Sequence, residues 1–107
     1  MKTLRTEFEA NYDKTGKMKF TQVRREGDVA LYHRTRPDGR TFNYEVFIVK
    51  TAKAGAALPN GAVEKEDRER YPGAEAFGRY AYDCSTLEAA EEKFDDKYLH
   101  QYQLGKF

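Results

Sequence analysis

Tryptophan is absent from this 107-residue chain, and cysteine, histidine and proline are scarce. The single cysteine, Cys84, cannot form an internal disulfide, and a lone thiol is typical of proteins in a reducing cytoplasm. No apolar run approaches the roughly 18 residues that a membrane span needs. The opening stretch MKTLRTEFEA also lacks the apolar core of a signal peptide. We therefore expect a cytoplasmic protein that does not engage a membrane.

The chain also lacks the usual sequence signatures of catalytic and cofactor sites. His33 and His100 lie far apart and do not have the paired spacing of a zinc module. No glycine-rich phosphate-binding loop occurs. Cys84 precedes a predicted helix, where a thiol pKa can fall. No neighbouring base accompanies it, however, so a buried structural thiol is the favoured interpretation. We expect a protein that is not an enzyme and that carries neither a metal nor a cofactor.

Charge is nearly balanced over the chain but unevenly distributed along it. Residues 1–53 contain 12 basic and 7 acidic residues, a balance of +5. Residues 54–107 contain 7 and 11, a balance of −4. A basic half can attract a polyanion or an acidic protein surface. The open alternative is that the charge serves solubility and the asymmetry is chance.

Alternating apolar residues predict a small antiparallel sheet. Runs rich in β-forming residues predict strands at residues 18–22, 29–35, 41–51 and 77–83. Pro37-Asp38-Gly39 predicts the turn of a hairpin, because proline fixes its dihedral and glycine accepts positive φ. Residues 41–51 gain apolar side chains on both faces, which indicates a central strand.

One helix is predicted after the last strand. Ser85-Thr86-Leu87-Glu88 matches a capping box, and Ala90 and Phe94 follow at helical spacing, so the helix should span residues 86–101. The chain is therefore expected to be a single α+β domain: about four antiparallel strands with one main C-terminal helix packed on one face. Residues 1–17 are expected to form a short helix or a flexible arm, and residues 52–76 a long charged loop.

A basic surface is predicted around the first hairpins, with Tyr32, Phe42 and Tyr44 interleaved among its cations. Cations for phosphates and rings for base stacking are the components of a nucleic-acid surface, so DNA or RNA is the leading predicted partner. The alternative is that the rings are buried and the cations pair with acidic residues. The predicted binding cations of this surface are Arg24, Arg25, Arg34, Arg36 and Arg40.

Phe77-Gly78-Arg79, followed by a short strand and a helix that begins Ser/Thr-Leu-Glu, resembles the WGR domain. That family has a Trp-Gly-Arg triplet in a small antiparallel sheet, and Phe77 stands where the family has Trp. The resemblance implies binding to DNA ends or breaks, with Gly78 and Arg79 in contact with the nucleic acid. Two structural alternatives stay open: Gly78 relieves crowding under the helix, and Arg79 pairs with a helix carboxylate.

A protein-interaction module, such as a phage-type accessory protein that modulates a larger enzyme, is the competing hypothesis. Its predicted surfaces are the acidic helix face and the C-terminal aromatic residues, because tyrosine is favoured at interfaces. A homodimer formed through a free sheet edge is a third alternative. The residues predicted for protein contact are Tyr98, Leu99 and Tyr102.

Overall fold

The computed structural model describes residues 2–13, 16–55 and 65–102. The elements are β1 (Glu7–Asp13), β2 (Gly16–Glu26), β3 (Val29–Thr35), β4 (Thr41–Ile48), β5 (Lys50–Ala52), β6 (Arg68–Arg70), a 3₁₀ turn (Ala74–Ala76), β7 (Ala81–Cys84) and α1 (Leu87–Tyr102). Five strands form an antiparallel sheet in the order β1-β2-β3-β4-β7, and β5 pairs with β6 in a separate two-stranded ribbon. This confirms the predicted α+β class with one C-terminal helix.

The N-terminal segment is a strand, so the expectation of a short helix or flexible arm was wrong. Phe8 and Ala10 of β1 face Phe20 and Met18 of β2, and the Phe8 and Phe20 rings stack with centroids 4.6 Å apart. Leu4 and Phe8 are four positions apart, a spacing that favours a helix but is also a multiple of two. It therefore also fits a strand, and Phe8 and Ala10 are partly buried against the same apolar cluster.

The expected charged loop at residues 52–76 also contains regular structure. Arg68–Arg70 pairs with Lys50–Ala52, and the 3₁₀ turn follows. Residues 77–80 form a turn, so the last strand of the sheet is shorter than predicted. Residues 56–64 of this predicted loop lie outside the described residues.

Helix α1 covers one face of the sheet. Ala90 and Phe94 are fully buried and belong to one apolar cluster with Val29, Leu31 and Val46. The helix is capped by Thr86, whose Oγ1 accepts a hydrogen bond from the Ala89 amide at 3.1 Å. The predicted cap is therefore displaced by one residue, from Ser85 to Thr86.

The opposite face of the sheet is covered by residues 65–80, which we call the cover segment. Its anchor is Tyr71, which lies at the centre of an aromatic cluster. Strand β4 is thus buried on both sides, as its sequence predicted, with Val46 towards the helix and Phe47 towards the cover segment. The Tyr71 ring meets four others at centroid distances of 4.9–5.4 Å, namely Phe8, Phe20, Tyr32 and Phe47.

A buried carboxylate fixes the hydroxyl end of Tyr71. Glu45 is 2% exposed, accepts a hydrogen bond from the Tyr71 hydroxyl, and lies 3.4 Å from Nε of Arg34. Burial raises the pKa of Glu45, and the Tyr71 and Arg34 contacts oppose that shift. A polar network inside an aromatic core therefore holds the cover segment in one position.

A β-bulge in β2 determines which face of the sheet each of two consecutive arginines takes. Gln22 faces Tyr32, but Arg24 faces Leu31, so Val23 is the extra residue. Simple alternation would have placed Arg24 on the face of Gln22. The bulge instead places it on the helix side and Arg25 on the side of the cover segment.

Removing the Tyr71 hydroxyl should destabilise the fold. Tyr71→Phe keeps the ring but leaves the buried Glu45 carboxylate without its donor, which should lower the free energy of unfolding by about 1–3 kcal/mol. Urea denaturation measures this, with Tyr80→Phe as the matched control because no described group hydrogen-bonds to the Tyr80 hydroxyl. Equal stability of both variants would show that the hydroxyl contact does not stabilise the fold.

The raised pKa of Glu45 also predicts a pH dependence. A raised pKa in the folded state means that Glu45 contributes stability below its usual value of 4.5, and that this contribution is lost as pH rises through the folded pKa. Glu45→Gln should therefore gain stability relative to the wild type as pH rises above about 4.5. Denaturation curves of both proteins across this range test the sign, and a difference that stays constant or shrinks contradicts it.

Candidate nucleic-acid interface

Two of the predicted binding arginines form ion pairs with carboxylates of the same domain. Nη1 of Arg24 contacts Glu91 at 2.7 Å and Asp95 at 3.0 Å, and its guanidinium lies 4.1 Å from the Phe94 ring centroid. Arg25 donates two hydrogen bonds to the Glu69 carboxylate, at 2.5 and 2.6 Å. These residues attach α1 and the cover segment to β2. Their charges are neutralised within the domain.

Arg34 is also part of the interior. Its side chain is 20% exposed and donates to Oδ1 of Asn43 at 2.6 Å, while Nη2 lies 3.8 Å from Asp83. Its guanidinium lies 4.8 Å from the Phe42 ring centroid. Together with the Glu45 contact, these interactions make Arg34 a counter-charge for the buried carboxylate rather than a free phosphate ligand.

Arg36 and Arg40 are exposed at the β3–β4 turn. Arg36 lies over the Phe42 ring at 5.0 Å, and Nε of Arg40 is 3.7 Å from Asp38 with 84% of its side chain exposed. Exposed ion pairs of this kind contribute little energy, so both arginines remain accessible to a ligand. They form what we call the turn-end pair.

The Phe77-Gly78-Arg79 triplet forms a tight turn rather than a strand. Phe77 is partly buried against the aromatic cluster, while Gly78 and Arg79 are exposed. Gly78 has φ of +86°, and an added Cβ would meet nothing within 4 Å. Glycine is therefore favoured by backbone conformation, and the alternative that it relieves crowding was wrong. No described carboxylate pairs with the Arg79 guanidinium, so the predicted helix partner was wrong too.

A second pair of cations, absent from the predicted site residues, lies in the two-stranded ribbon. Lys50 and Arg70 are exposed and directly opposite each other, so both side chains project from the same face. Nζ of Lys50 lies 5.0 Å from the Tyr80 ring centroid. Like charges in this position repel. We call Lys50 and Arg70, with Arg79 beside Tyr80, the ribbon patch.

The ribbon patch lacks a strong internal counter-ion within the described part of the chain. Glu75 lines the same shallow depression as Lys50 and Arg70, but its carboxylate lies over Gly73 and forms no ion pair with either cation. The sequence carried one signal for this arrangement. Arg68-Glu69-Arg70 alternates in charge, as a strand with both arginines on one face would.

The ribbon patch and the turn-end pair lie at opposite ends of the sheet. Ala81 of β7 pairs with Phe47 of β4, and Phe47 pairs with Ala30 near the start of β3. Arg36, in contrast, follows the end of β3. Six residues along a strand correspond to roughly 20 Å. The predicted arginines therefore do not form one continuous surface, and each pair must be tested separately.

The residues predicted for protein contact are only partly available. Tyr98 packs against the apolar cluster under the helix, and Leu99 is 41% exposed. The side chain of Tyr102 lies outside the described part of the structure. Among the helix carboxylates, Glu91 and Asp95 are bound to Arg24, which leaves Glu88, Glu92 and Asp96 on the exposed side.

The remaining reactive residues have structural contacts. Cys84 is buried, and burial raises the pKa of its thiol, which disfavours the nucleophilic thiolate. His33 stacks on Tyr44 at 4.7 Å and its Nε2 lies 2.8 Å from Thr41 Oγ1. Among residues 2–13, 16–55 and 65–102, no cluster of three or more metal-ligating side chains occurs, and no helix is long and apolar enough to cross a membrane.

Comparison with known proteins found no matching family model, no matching curated protein and no matching solved structure. The resemblance of Phe77-Gly78-Arg79 to the WGR domain therefore stays a prediction.

The ion pair between Arg25 and Glu69 should act on stability rather than on ligand binding. Arg25→Ala leaves the largely buried Glu69 without its charged donors, and we expect the free energy of unfolding to fall by about 1–3 kcal/mol. Thermal or urea denaturation measures this, with Arg40→Ala as the exposed control. If Arg25→Ala kept full stability but weakened nucleic-acid binding, Arg25 would belong to the interface after all.

Proposed function

We propose that this chain is a small, non-catalytic nucleic-acid-binding domain that contacts phosphates through the ribbon patch. The observation that carries the proposal is the directly opposed pair Lys50 and Arg70. Two exposed cations held side by side are unfavourable in the free protein and become favourable when a polyanion binds between or across them.

The neighbouring residues suit the same role. Tyr80 presents a ring next to the Lys50 ammonium, and Arg79 on the adjacent turn has an exposed guanidinium that can fork onto a phosphate. The positive φ of Gly78 sets that turn. We assign Arg79 the binding role that the WGR resemblance implied, and we place it with the cations of the ribbon rather than with the hairpin arginines, because it precedes Tyr80 in the chain.

Paired variants distinguish the two exposed ends of the sheet. Lys50→Ala/Arg70→Ala and Arg36→Ala/Arg40→Ala each remove two positive charges from exposed side chains. Binding of labelled single-stranded DNA, blunt duplex, nicked duplex and RNA is measured by anisotropy at several salt concentrations. We expect the first variant to bind more weakly, with a slope of log K against log salt less steep by about 1.4 for single strands, and the second to match the wild type.

Three other outcomes would count against the proposal. Loss of binding only in Arg36→Ala/Arg40→Ala would move the site to the turn-end pair. Equal loss in both variants would indicate a general charge effect. No binding by the wild-type protein at low salt would exclude nucleic acid as the ligand.

A protein-interaction role is the second candidate, favoured by one stripe on α1. Glu88, Glu92 and Asp96 recur every four residues on the exposed side, and Leu99 continues the stripe. Like charges at this spacing repel, so a basic partner surface would relieve them. Glu92→Lys reverses one charge of this stripe. It should abolish capture of such a partner while leaving nucleic-acid binding unchanged or stronger.

A further inference from the structure

A second pocket that Tyr71 lines lies near the ribbon patch. It has a volume of about 250 Å³ and lies between the N-terminal residues and β6. Leu4, Phe8 and Tyr71 supply its apolar surface. Pockets for drug-sized ligands begin near 300 Å³, so this one has room for about one planar ring system.

Phe8, one of the lining residues, contacts both an inner aromatic ring and an exposed cation. The Phe8 and Phe20 rings are parallel within 5°, and the Arg5 guanidinium lies 5.1 Å from the Phe8 centroid. Arg5 is exposed. A guanidinium plane on an aromatic stack is a surface on which an unpaired base can stack.

The charge of the pocket favours an anionic ligand. Lys2 and Arg5 line it, and both are exposed. Glu69 is the one carboxylate among its described lining residues, and it is engaged by Arg25 and by the Leu4 amide at 3.0 Å, which lower the pKa of its carboxyl. The contact between Lys2 and Glu66 is exposed and long, at 3.9 Å, so it neutralises Lys2 only weakly.

The pocket is held in shape by backbone contacts. The Lys2 amide donates to Asp67 O at 3.0 Å, the Glu69 amide donates to Lys2 O at 2.8 Å, and the Tyr32 hydroxyl donates to Arg5 O at 2.6 Å. A site ordered before binding loses less entropy when the ligand arrives. Tyr71 lines both this pocket and the depression beside Lys50 and Arg70, so one strand can reach both.

We infer that this pocket takes one unpaired nucleobase, stacked on the Arg5 guanidinium with a flanking phosphate on Lys2. The domain would then select single-stranded over duplex nucleic acid. The inference rests on the proposed function, because the ribbon patch supplies the neighbouring phosphate contacts. The pocket would add a contact to a nucleobase, which an interface that binds phosphates by charge alone does not make.

The test compares strands that carry the same phosphates with and without bases. Short oligothymidylate, an abasic strand of equal length and a blunt duplex are titrated against the full chain by anisotropy. We expect oligothymidylate to bind roughly tenfold more tightly than the abasic strand, a typical effect for one stacked base. The blunt duplex should also bind more weakly than oligothymidylate.

Two arginine variants localise the effect. Arg5→Ala removes an exposed guanidinium that lies over Phe8 at 5.1 Å, and Arg36→Ala removes one that lies over Phe42 at 5.0 Å. Arg5→Ala should abolish the preference for oligothymidylate over the abasic strand, whereas Arg36→Ala should retain it.

The possible failures are distinguishable. Equal, salt-sensitive binding of the base-containing and abasic strands would overturn the base pocket and leave the proposed function standing. A preference for the duplex, or a base preference lost in Arg36→Ala but kept in Arg5→Ala, would also overturn the pocket. Absence of all binding would overturn both the pocket and the proposed function.

Discussion

The contact between the Tyr71 hydroxyl and the buried carboxylate of Glu45 determines where the cover segment lies. The Tyr71 ring supplies the apolar part of the attachment and its hydroxyl satisfies a carboxylate that is otherwise shielded from water. Arg70 immediately precedes Tyr71, so the same anchor places the ribbon and its cations. A change at this contact should therefore affect both the stability of the sheet and the geometry of the proposed interface.

Internal neutralisation decides which cations remain for a ligand. The bulge at Val23 directs Arg24 to the helix carboxylates and Arg25 to Glu69, and Arg34 compensates Glu45. The three arginines thus connect the layers of the domain. Of the five predicted binding arginines, only Arg36 and Arg40 remain exposed, at one end of the sheet. The ribbon patch lies at the other end, beside the apolar pocket that Lys2 and Arg5 line.

Sequence periodicity was sufficient for the central strands and the helix because their apolar positions repeat regularly. The run from Val29 to Thr35 and the residues around Ala90 and Phe94 have this property. It failed where regular structure depends on distant partners. The strand at Arg68–Arg70 has no apolar alternation, and it forms because β5 is present and Tyr71 is anchored. The N-terminal strand was ambiguous because a spacing of four fits both a helix and a strand.

The interface was less predictable than the fold. Composition located a basic half of the chain. The ion pair that each arginine forms, however, depends on the face of the sheet that its side chain takes. The extra residue Val23 in β2 exchanges the faces of Arg24 and Arg25. Lys50 and Arg70 are 20 positions apart in the chain and become neighbours only through the ribbon. The charge alternation of Arg68-Glu69-Arg70 indicates a strand, but it does not indicate that Lys50 lies opposite Arg70, which is a property of tertiary structure.

The most direct test of the account is to map the contact surface by NMR. Amide chemical shifts of the isotopically labelled chain are followed while oligothymidylate is added. The account predicts the largest changes at residues 2–5, at 50–52, at 68–71 and at 79–80, with little change at 36–40. Changes concentrated at 36–40, or along the outer side of α1, would contradict the assignment of the interface to the ribbon patch.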